Sequence, residues 1–173
     1  MKKLIILGAG TGGTIMANKL AGPLHQRGWK ITVVDRDDNH YYQPGFLFVP
    51  FGFYQPEDLL RRRSALLPRG VEFITGEVEE IKPEKKALKL ADGEELNYDL
   101  LLIATGNHTC PEETPGLLDG WRQNIFDYYS LDGATALARK LEEFKEGTLV
   151  VQINEMPIKC SVSPLEFSFL ADW

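Results

Sequence analysis

The sequence passes from an apolar run directly into a glycine cluster at residues 3–13, KLIILGAGTGG. A continuous apolar run is typical of a strand that is covered on both faces in a parallel sheet. The glycines fit the pattern G-x-G-x-x-G, in which Gly8 permits a tight turn, Gly10 lets the backbone approach a pyrophosphate, and Gly13 lets a helix lie close to the sheet. The segment therefore predicts a strand, a phosphate-binding turn and a helix, in that order.

The next thirty residues complete the unit that such a turn requires. Residues 11–21 carry apolar side chains at helical spacing, and the following Gly22 and Pro23 predict a break or a bend in that helix. Residues 29–34 predict a second buried strand, which ends at Asp35. A carboxylate at this strand tip is placed to accept the hydroxyls of an adenosine ribose, although Arg36 beside it leaves a 2′-phosphate open. Residues 3–35 thus predict a dinucleotide-binding βαβ unit.

The rest of the chain predicts further elements of an α/β fold. Residues 39–53 are aromatic and irregular, so we expect a structured loop. A helix is predicted to begin at Pro56, with the arginines 61–63 on its solvated face. The remaining predicted elements are a strand at 71–74, an antiparallel excursion at 78–97, a strand at 100–104, a helix at 131–145, a strand at 149–153 and a helix at 164–173.

Composition restricts the classes of protein that remain possible. The chain has 173 residues and a net charge of -6, which argues against a large two-domain enzyme and against a nucleic-acid binder. No apolar run is long enough to span a bilayer, so we expect a cytoplasmic protein. Cys110 and Cys160 are too few for a disulfide framework, and the three histidines lack metal-ligand spacing, so no metal site is predicted.

A second motif, YDLLLIATG at residues 98–106, accompanies the βαβ unit. The two motifs together resemble the flavoprotein oxidoreductases that carry two dinucleotide-binding domains. The resemblance implies FAD at the first site, with the Ala-Thr-Gly turn beside the flavin. It assigns cofactor contacts to Gly8, Gly10, Thr11, Gly12, Gly13, Asp35, Arg36, Gln43, Pro44, Val78, Ala104, Thr105 and Gly106.

The branch of that family is indicated by residues 154–160, NEMPIKC. Branches that use NADH or NADPH have a second glycine fingerprint here, and this segment has no glycine. Residues 42–47 likewise lack the cysteine pair of the disulfide reductases. Residues 42–47, YQPGFL, resemble the flavin-flanking loop of sulfide:quinone oxidoreductases. Residues 154–160 resemble the Pro-Ile-Lys-Cys segment of the same enzymes, which implies that Cys160 takes sulfur from sulfide as the catalytic residue. Lys159 beside it would favour the reactive thiolate, with a buried inert thiol as the alternative. Cys110 is interpreted as a small loop residue.

The resemblance also predicts how the chain is organised. Residues 1–119 are expected to form a Rossmann-like three-layer α/β domain that binds FAD and carries an antiparallel β insertion. Residues 120–173 are expected to begin a second, incomplete dinucleotide-binding-like domain. The implied partners are sulfide and quinone, with peripheral membrane contact through a C-terminal half that these residues do not include. We therefore expect an N-terminal fragment that is inactive alone.

Two other functions and an oligomer remain open at this point. A type II NADH:quinone oxidoreductase would share the FAD unit, and a flavin- or nucleotide-binding module without catalysis would keep residues 8–35 and make no use of Cys160. Without further strands, Val150, Ile153 and Phe167 lack partners in the second unit. This predicts that the unit pairs with another copy or frays.

Overall fold

The computed structural model describes all 173 residues, which form two compact units. The first unit comprises Met1–Tyr41 and Leu60–Asn107, and the second comprises Tyr42–Leu59 and His108–Trp173. The elements of the first unit are β1 (Lys2–Leu7), α1 (Thr11–His25), β2 (Trp29–Asp35), β3 (Asn39–Tyr41), β4 (Leu60–Arg62), α2 (Arg63–Leu66), β5 (Val71–Thr75), β6 (Val78–Lys82), β7 (Ala87–Leu90), β8 (Glu95–Asn97) and β9 (Leu100–Ile103).

The first unit is built around a parallel sheet with the strand order β5-β2-β1-β9. Alternate residues of β1 face opposite sides, so Leu4 and Ile6 pack with α1, while Ile5 and Leu7 pack with β7 of the antiparallel β6-β7-β8 sheet. Full burial of each such side chain stabilises the folded state by roughly 1.5–3 kcal/mol. The predicted three-layer Rossmann-like fold with an antiparallel insertion is confirmed.

Gly22 and Pro23 do not break helix α1. It continues through Pro23 and ends at His25, with Gln26 as the C-cap. Proline removes one backbone hydrogen bond, which costs less near a helix end than in its middle. Leu24 packs against the apolar core between α1 and the sheet, and this contact favours continuation of the helix.

The helix predicted from Pro56 is wrong. The chain instead forms a 3-10 turn at Pro56–Leu59, the strand β4 and the single helical turn α2. Strand β4 pairs antiparallel with β3, which itself lies inside the stretch predicted to be an irregular loop. The remainder of that stretch contains a 3-10 helix at Gln43–Phe51. Pairing between strands distant in sequence has thus overridden the local helical pattern.

The second unit is mainly helical and contains α3 (Leu131–Glu143) and α4 (Ser163–Asp172). The Ser130 side chain caps α3 by accepting from the Gly133 N–H at 3.0 Å. Phe167 of α4 is only 3% exposed and stacks on Tyr128 with ring centroids 5.0 Å apart. The expectation that Phe167 lacks partners is therefore wrong.

No strand forms at residues 149–153, so that prediction is also wrong. Val150 is 73% exposed and Ile153 is 46% exposed, as expected for residues without partners. An apolar run with β propensity becomes a strand only when another strand accepts its backbone hydrogen bonds, and none does so here. No helix in the chain is both long and apolar enough to cross a membrane.

Candidate dinucleotide-binding turn and cysteine segment

The glycine turn brings the two sequence motifs of the first unit into contact. Gly8 has φ +98°, and a Cβ at this position would lie 2.6 Å from the carbonyl carbon of Ala104 and 2.9 Å from the nitrogen of Thr105. The contact follows from the pairing of β1 with β9, in which Leu7 lies opposite Ile103. Only glycine fits at position 8, because both the backbone angle and the space exclude a side chain.

The other two fingerprint glycines differ in their surroundings. A Cβ on Gly13 would overlap the carbonyl group of Gly8, so helix α1 begins directly against the end of β1. A Cβ on Gly10 would meet nothing within 4 Å. Gly10 is the N-cap, no side chain caps it, and the first turn of α1 has no acidic residue. The turn therefore offers open space and a helix N-terminus to an anion, which fits a pyrophosphate.

Asp35 lies at the end of β2, as predicted, and its carboxylate faces the glycine turn. Its Oδ2 accepts from the Ala9 N–H at 2.6 Å, and its Oδ1 accepts from the Arg36 N–H at 2.8 Å. Arg63 forms an ion pair with the same Oδ1. The Asp35 and Arg63 side chains are each 11% exposed, so this pair is largely shielded from water.

Arg63 corrects the expectation that residues 61–63 form a solvated face. Arg62 is exposed and pairs with Asp38 at 2.7 Å, but the Arg63 side chain is buried against Asp35 and Asp37. Sequence reasoning missed this residue because the β3–β4 pairing that places it joins distant positions. Three aspartates within residues 35–38 were the available signal, since carboxylates that are partly buried require cations nearby.

Two other residues that sequence reasoning missed contact the glycine turn. The Thr14 hydroxyl donates to the Ala9 carbonyl at 3.0 Å, and His40 Nδ1 lies 3.3 Å from the same oxygen. Asp35 therefore holds the peptide group between Gly8 and Ala9, and Thr14 and His40 contact the peptide group between Ala9 and Gly10. These contacts fix the orientation of the backbone from Gly8 to Gly10.

The remaining predicted cofactor residues of this unit are exposed at its surface, except Val78. Thr11 begins α1, and a Cβ on Gly12 would lie 3.7 Å from the Ala104 side chain. Arg36 is exposed, with Nε 3.7 Å from Asp37 Oδ2. Gly106 has φ +75° and open surroundings. Val78 begins β6 and packs against the core formed with the antiparallel sheet.

Cys160, Gln43 and Pro44 belong to the second unit. Gln43 and Pro44 begin the 3-10 helix, and Lys159 Nζ donates to Gln43 Oε1 at 2.5 Å across 116 positions of sequence. Cys160 is exposed, and its carbonyl accepts from the Ser163 N–H at 3.3 Å where α4 begins. The hydrogen bond from Lys159 thus joins the cysteine segment to the start of the aromatic stretch.

The environments of the two thiols differ. Burial raises the pKa of Cys110, and Glu113 and Glu112 add to that effect, so the unreactive thiol form is favoured there. Near Cys160, burial raises the pKa of Tyr128 and of Tyr129, while a hydrogen bond with Ser163 opposes both shifts. Neither tyrosine was identified from the sequence. No group of three or more His, Cys, Asp or Glu residues is arranged to hold a metal ion.

Comparison with known proteins agrees with this geometry. The family model described as pyridine nucleotide-disulphide oxidoreductase matches residues 2–151. The chain is 27% identical over 171 residues to a mitochondrial sulfide:quinone oxidoreductase of Mus musculus, covering 98% of this chain and 38% of that protein. It is 27% identical over 143 residues to a type II NADH:quinone oxidoreductase of Staphylococcus aureus, covering 82% of this chain and 34% of that protein.

A solved structure supports the fold. The sulfide:quinone oxidoreductase of Aquifex aeolicus superposes with a TM-score of 0.67 at 23% identity, over 83% of this chain and 32% of that one. The chain spans between about a third and two fifths of the length of the curated relatives that it matches. The resemblance predicted from the two motifs is confirmed.

Proposed function

Because this chain belongs to the pyridine nucleotide-disulphide oxidoreductase family, we propose that it is the FAD-binding part of a flavoprotein that oxidises sulfide and reduces a quinone. The observation that carries the proposal is the hydrogen bond between Lys159 and Gln43. It links the Pro-Ile-Lys-Cys segment to the loop that resembles the flavin-flanking loop of sulfide:quinone oxidoreductases. The sequence similarity to such enzymes over 98% of the chain supports the same function.

In this proposal the first unit holds the cofactor. The N–H groups around Gly10 would bind the pyrophosphate, Asp35 would accept from the adenosine ribose, and the Ala104–Gly106 turn would lie beside the isoalloxazine. When bound, the flavin supplies two-electron chemistry between sulfide and quinone. The open Gly10 position and the uncapped helix N-terminus are the features that fit this group.

Cys160 is the residue that we assign to the sulfur chemistry. Its Sγ forms a sulfur–sulfur bond with sulfide, so that the thiol and hydrogen sulfide become a persulfide. The two electrons and two protons that are released convert the quinone to a quinol, which balances the reaction. An exposed thiol suits this role because both sulfide and the next sulfur acceptor must reach it.

The test is the absorbance of the flavin in the full-length protein before and after anaerobic addition of sulfide. We expect the wild-type flavin to be reduced, and Cys160→Ser to be reduced at least ~100-fold more slowly, since loss of a nucleophile costs orders of magnitude in rate. Cys110→Ser is the matched control and should behave as wild type.

Other outcomes would favour other functions. Reduction of Cys160→Ser at the wild-type rate would contradict the assigned role of Cys160. Reduction by NADH but not by sulfide would favour the type II NADH:quinone oxidoreductase that the match to the Staphylococcus aureus protein also suggests. A protein that binds FAD and responds to neither reductant would be a binding module.

A further inference from the structure

We infer that Arg63 is a positioning residue for dinucleotide binding, because it fixes the Asp35 carboxylate in the orientation that receives the adenosine ribose. The inference rests on the proposed FAD site in the first unit. Arg63 Nη1 forms an ion pair with Asp35, lies 3.2 Å from Asp37 Oδ1, and donates to the Asp37 carbonyl at 2.8 Å. One guanidinium nitrogen therefore holds Asp35, the last residue of β2, and Asp37, two residues after it.

The ion pair between Arg63 and Asp35 matters for the orientation of Asp35 because both side chains are largely buried. Asp35 and Arg63 are each 11% exposed, and a charged group removed from water is costly unless a partner of opposite charge compensates it. Asp35 has no other cationic side chain in contact with it, because Arg36 approaches it only through its backbone N–H. Without Arg63 the carboxylate would be driven to rotate towards water, away from the glycine turn.

Strand pairing and backbone hydrogen bonds place Arg63 beside Asp35. Arg62 lies opposite Asn39 in the β3–β4 ladder, and the Arg63 N–H donates to the Asp38 carbonyl at 3.0 Å. The Ser64 N–H and hydroxyl both donate to the Asp38 carboxylate, at 2.7 and 2.9 Å. Arg62 also forms an ion pair with the Asp38 carboxylate. Residues 62–64 are thus held against the loop after β2 through contacts with Asp38.

The arrangement leaves a defined place for the ligand. A carboxylate has about four acceptor positions. The Arg36 N–H and Arg63 occupy Oδ1, and the Ala9 N–H occupies one position of Oδ2. The position that remains is on Oδ2, the oxygen already bonded to the glycine turn.

The experiment compares FAD with an analogue whose adenosine ribose lacks the 2′-hydroxyl, using flavin fluorescence to titrate the full-length apoprotein. We expect Arg63→Met to weaken FAD binding by roughly 10- to 100-fold, the usual worth of a hydrogen bond to a charged group. The preference of the wild type for FAD over the analogue should also fall towards one in this variant. Arg69→Met, which removes an exposed arginine of the same unit that takes no part in these contacts, is the matched control and should change neither value.

Further variants separate positioning from general stability. Arg63→Lys should keep more of the preference for FAD than Arg63→Met does. The positive charge remains in this variant, although the contact of the guanidinium with two aspartates is lost. In Asp35→Asn, the addition of Arg63→Met should cause no further loss, since the effect passes through Asp35. This double variant has no unpaired buried charge, so it remains informative if Arg63→Met alone does not fold.

Two results would be decisive against these ideas in different ways. If Arg63→Met binds FAD as tightly as wild type, or keeps the full preference for FAD over the analogue, Arg63 does not position the ribose acceptor. If wild type itself does not bind FAD, the proposed function fails and the role of Arg63 fails with it.

Discussion

The glycine turn at residues 8–13 and the cysteine segment at residues 154–160 are held in place in different ways. Backbone atoms enclose the turn, since side chains at Gly8 or Gly13 would overlap Ala104 or Gly8. The cysteine segment is largely exposed, has no regular structure, and is joined to Gln43 by one side-chain hydrogen bond. A turn made of backbone groups is thus fixed by close packing, whereas the position of Cys160 on an irregular segment depends on a few contacts distant in sequence.

The largest expected effect tests the packing of the turn. Gly13→Ala would place a methyl group on the Gly8 carbonyl, so we expect the free energy of unfolding to fall by about 3 kcal/mol or more. Urea unfolding followed by circular dichroism measures this change. A variant with wild-type stability would show that α1 can move away from β1. The glycine turn would then be no more rigidly packed than the cysteine segment.

Gly10→Ala is the matched substitution in the same turn. Nothing lies within 4 Å of the added methyl, so the free energy of unfolding of the apoprotein should change by less than about 1 kcal/mol. FAD binding should weaken by at least ~10-fold, because the methyl occupies the space through which the pyrophosphate approaches the backbone. FAD affinity equal to wild type would contradict the proposed phosphate site.

Lys159→Met tests the cysteine segment. We expect reduction of the flavin by sulfide to slow roughly 10-fold, since the lost hydrogen bond to Gln43 leaves Cys160 less well oriented. The free energy of unfolding should change by less than about 0.5 kcal/mol because the segment is exposed. Stopped-flow absorbance measures the rate, with Lys145→Met as a control at another exposed lysine of the same unit. An unchanged rate would mean that other contacts orient the thiol.

Gly22→Ala probes a glycine that the fold does not require. Gly22 lies inside α1 with no atom within 4 Å of an added Cβ, and its φ is not positive. We therefore expect the free energy of unfolding to rise by about 0.5–1 kcal/mol, the gain from replacing glycine by alanine in a helix. Chemical denaturation provides the measurement. A loss of stability would indicate that the helix is strained next to Pro23.

The smallest expected effect is on how the free energy of unfolding depends on pH under acidic conditions. The Ser64 N–H, with Arg62, lowers the pKa of Asp38 from 3.8 to about 2. A carboxyl whose pKa is depressed by folding stabilises the fold above its unfolded pKa, and that contribution is lost as the pH falls from about 4 to about 2. Asp38→Asn should therefore flatten this part of a plot of unfolding free energy against pH. Curves of the same shape for both proteins would show that Asp38 contributes nothing.

Much of the fold could be predicted because its signals are local. The apolar run of β1, the glycines after it and Asp35 at the end of β2 predicted the parallel βαβ unit, and the pattern of residues 78–97 predicted the antiparallel sheet. The errors share one cause. Strand β4 and residues 149–153 are decided by whether a partner strand is present, and no local pattern contains that information.

The sequence by itself determined the parallel sheet and the glycine turn, because apolar periodicity and the steric needs of glycine act between near neighbours. The tertiary structure alone decided that Arg63 is buried against Asp35 and that Lys159 reaches Gln43. These contacts join residues 28 and 116 positions apart, and they form only because strand pairing and packing bring distant chain segments together.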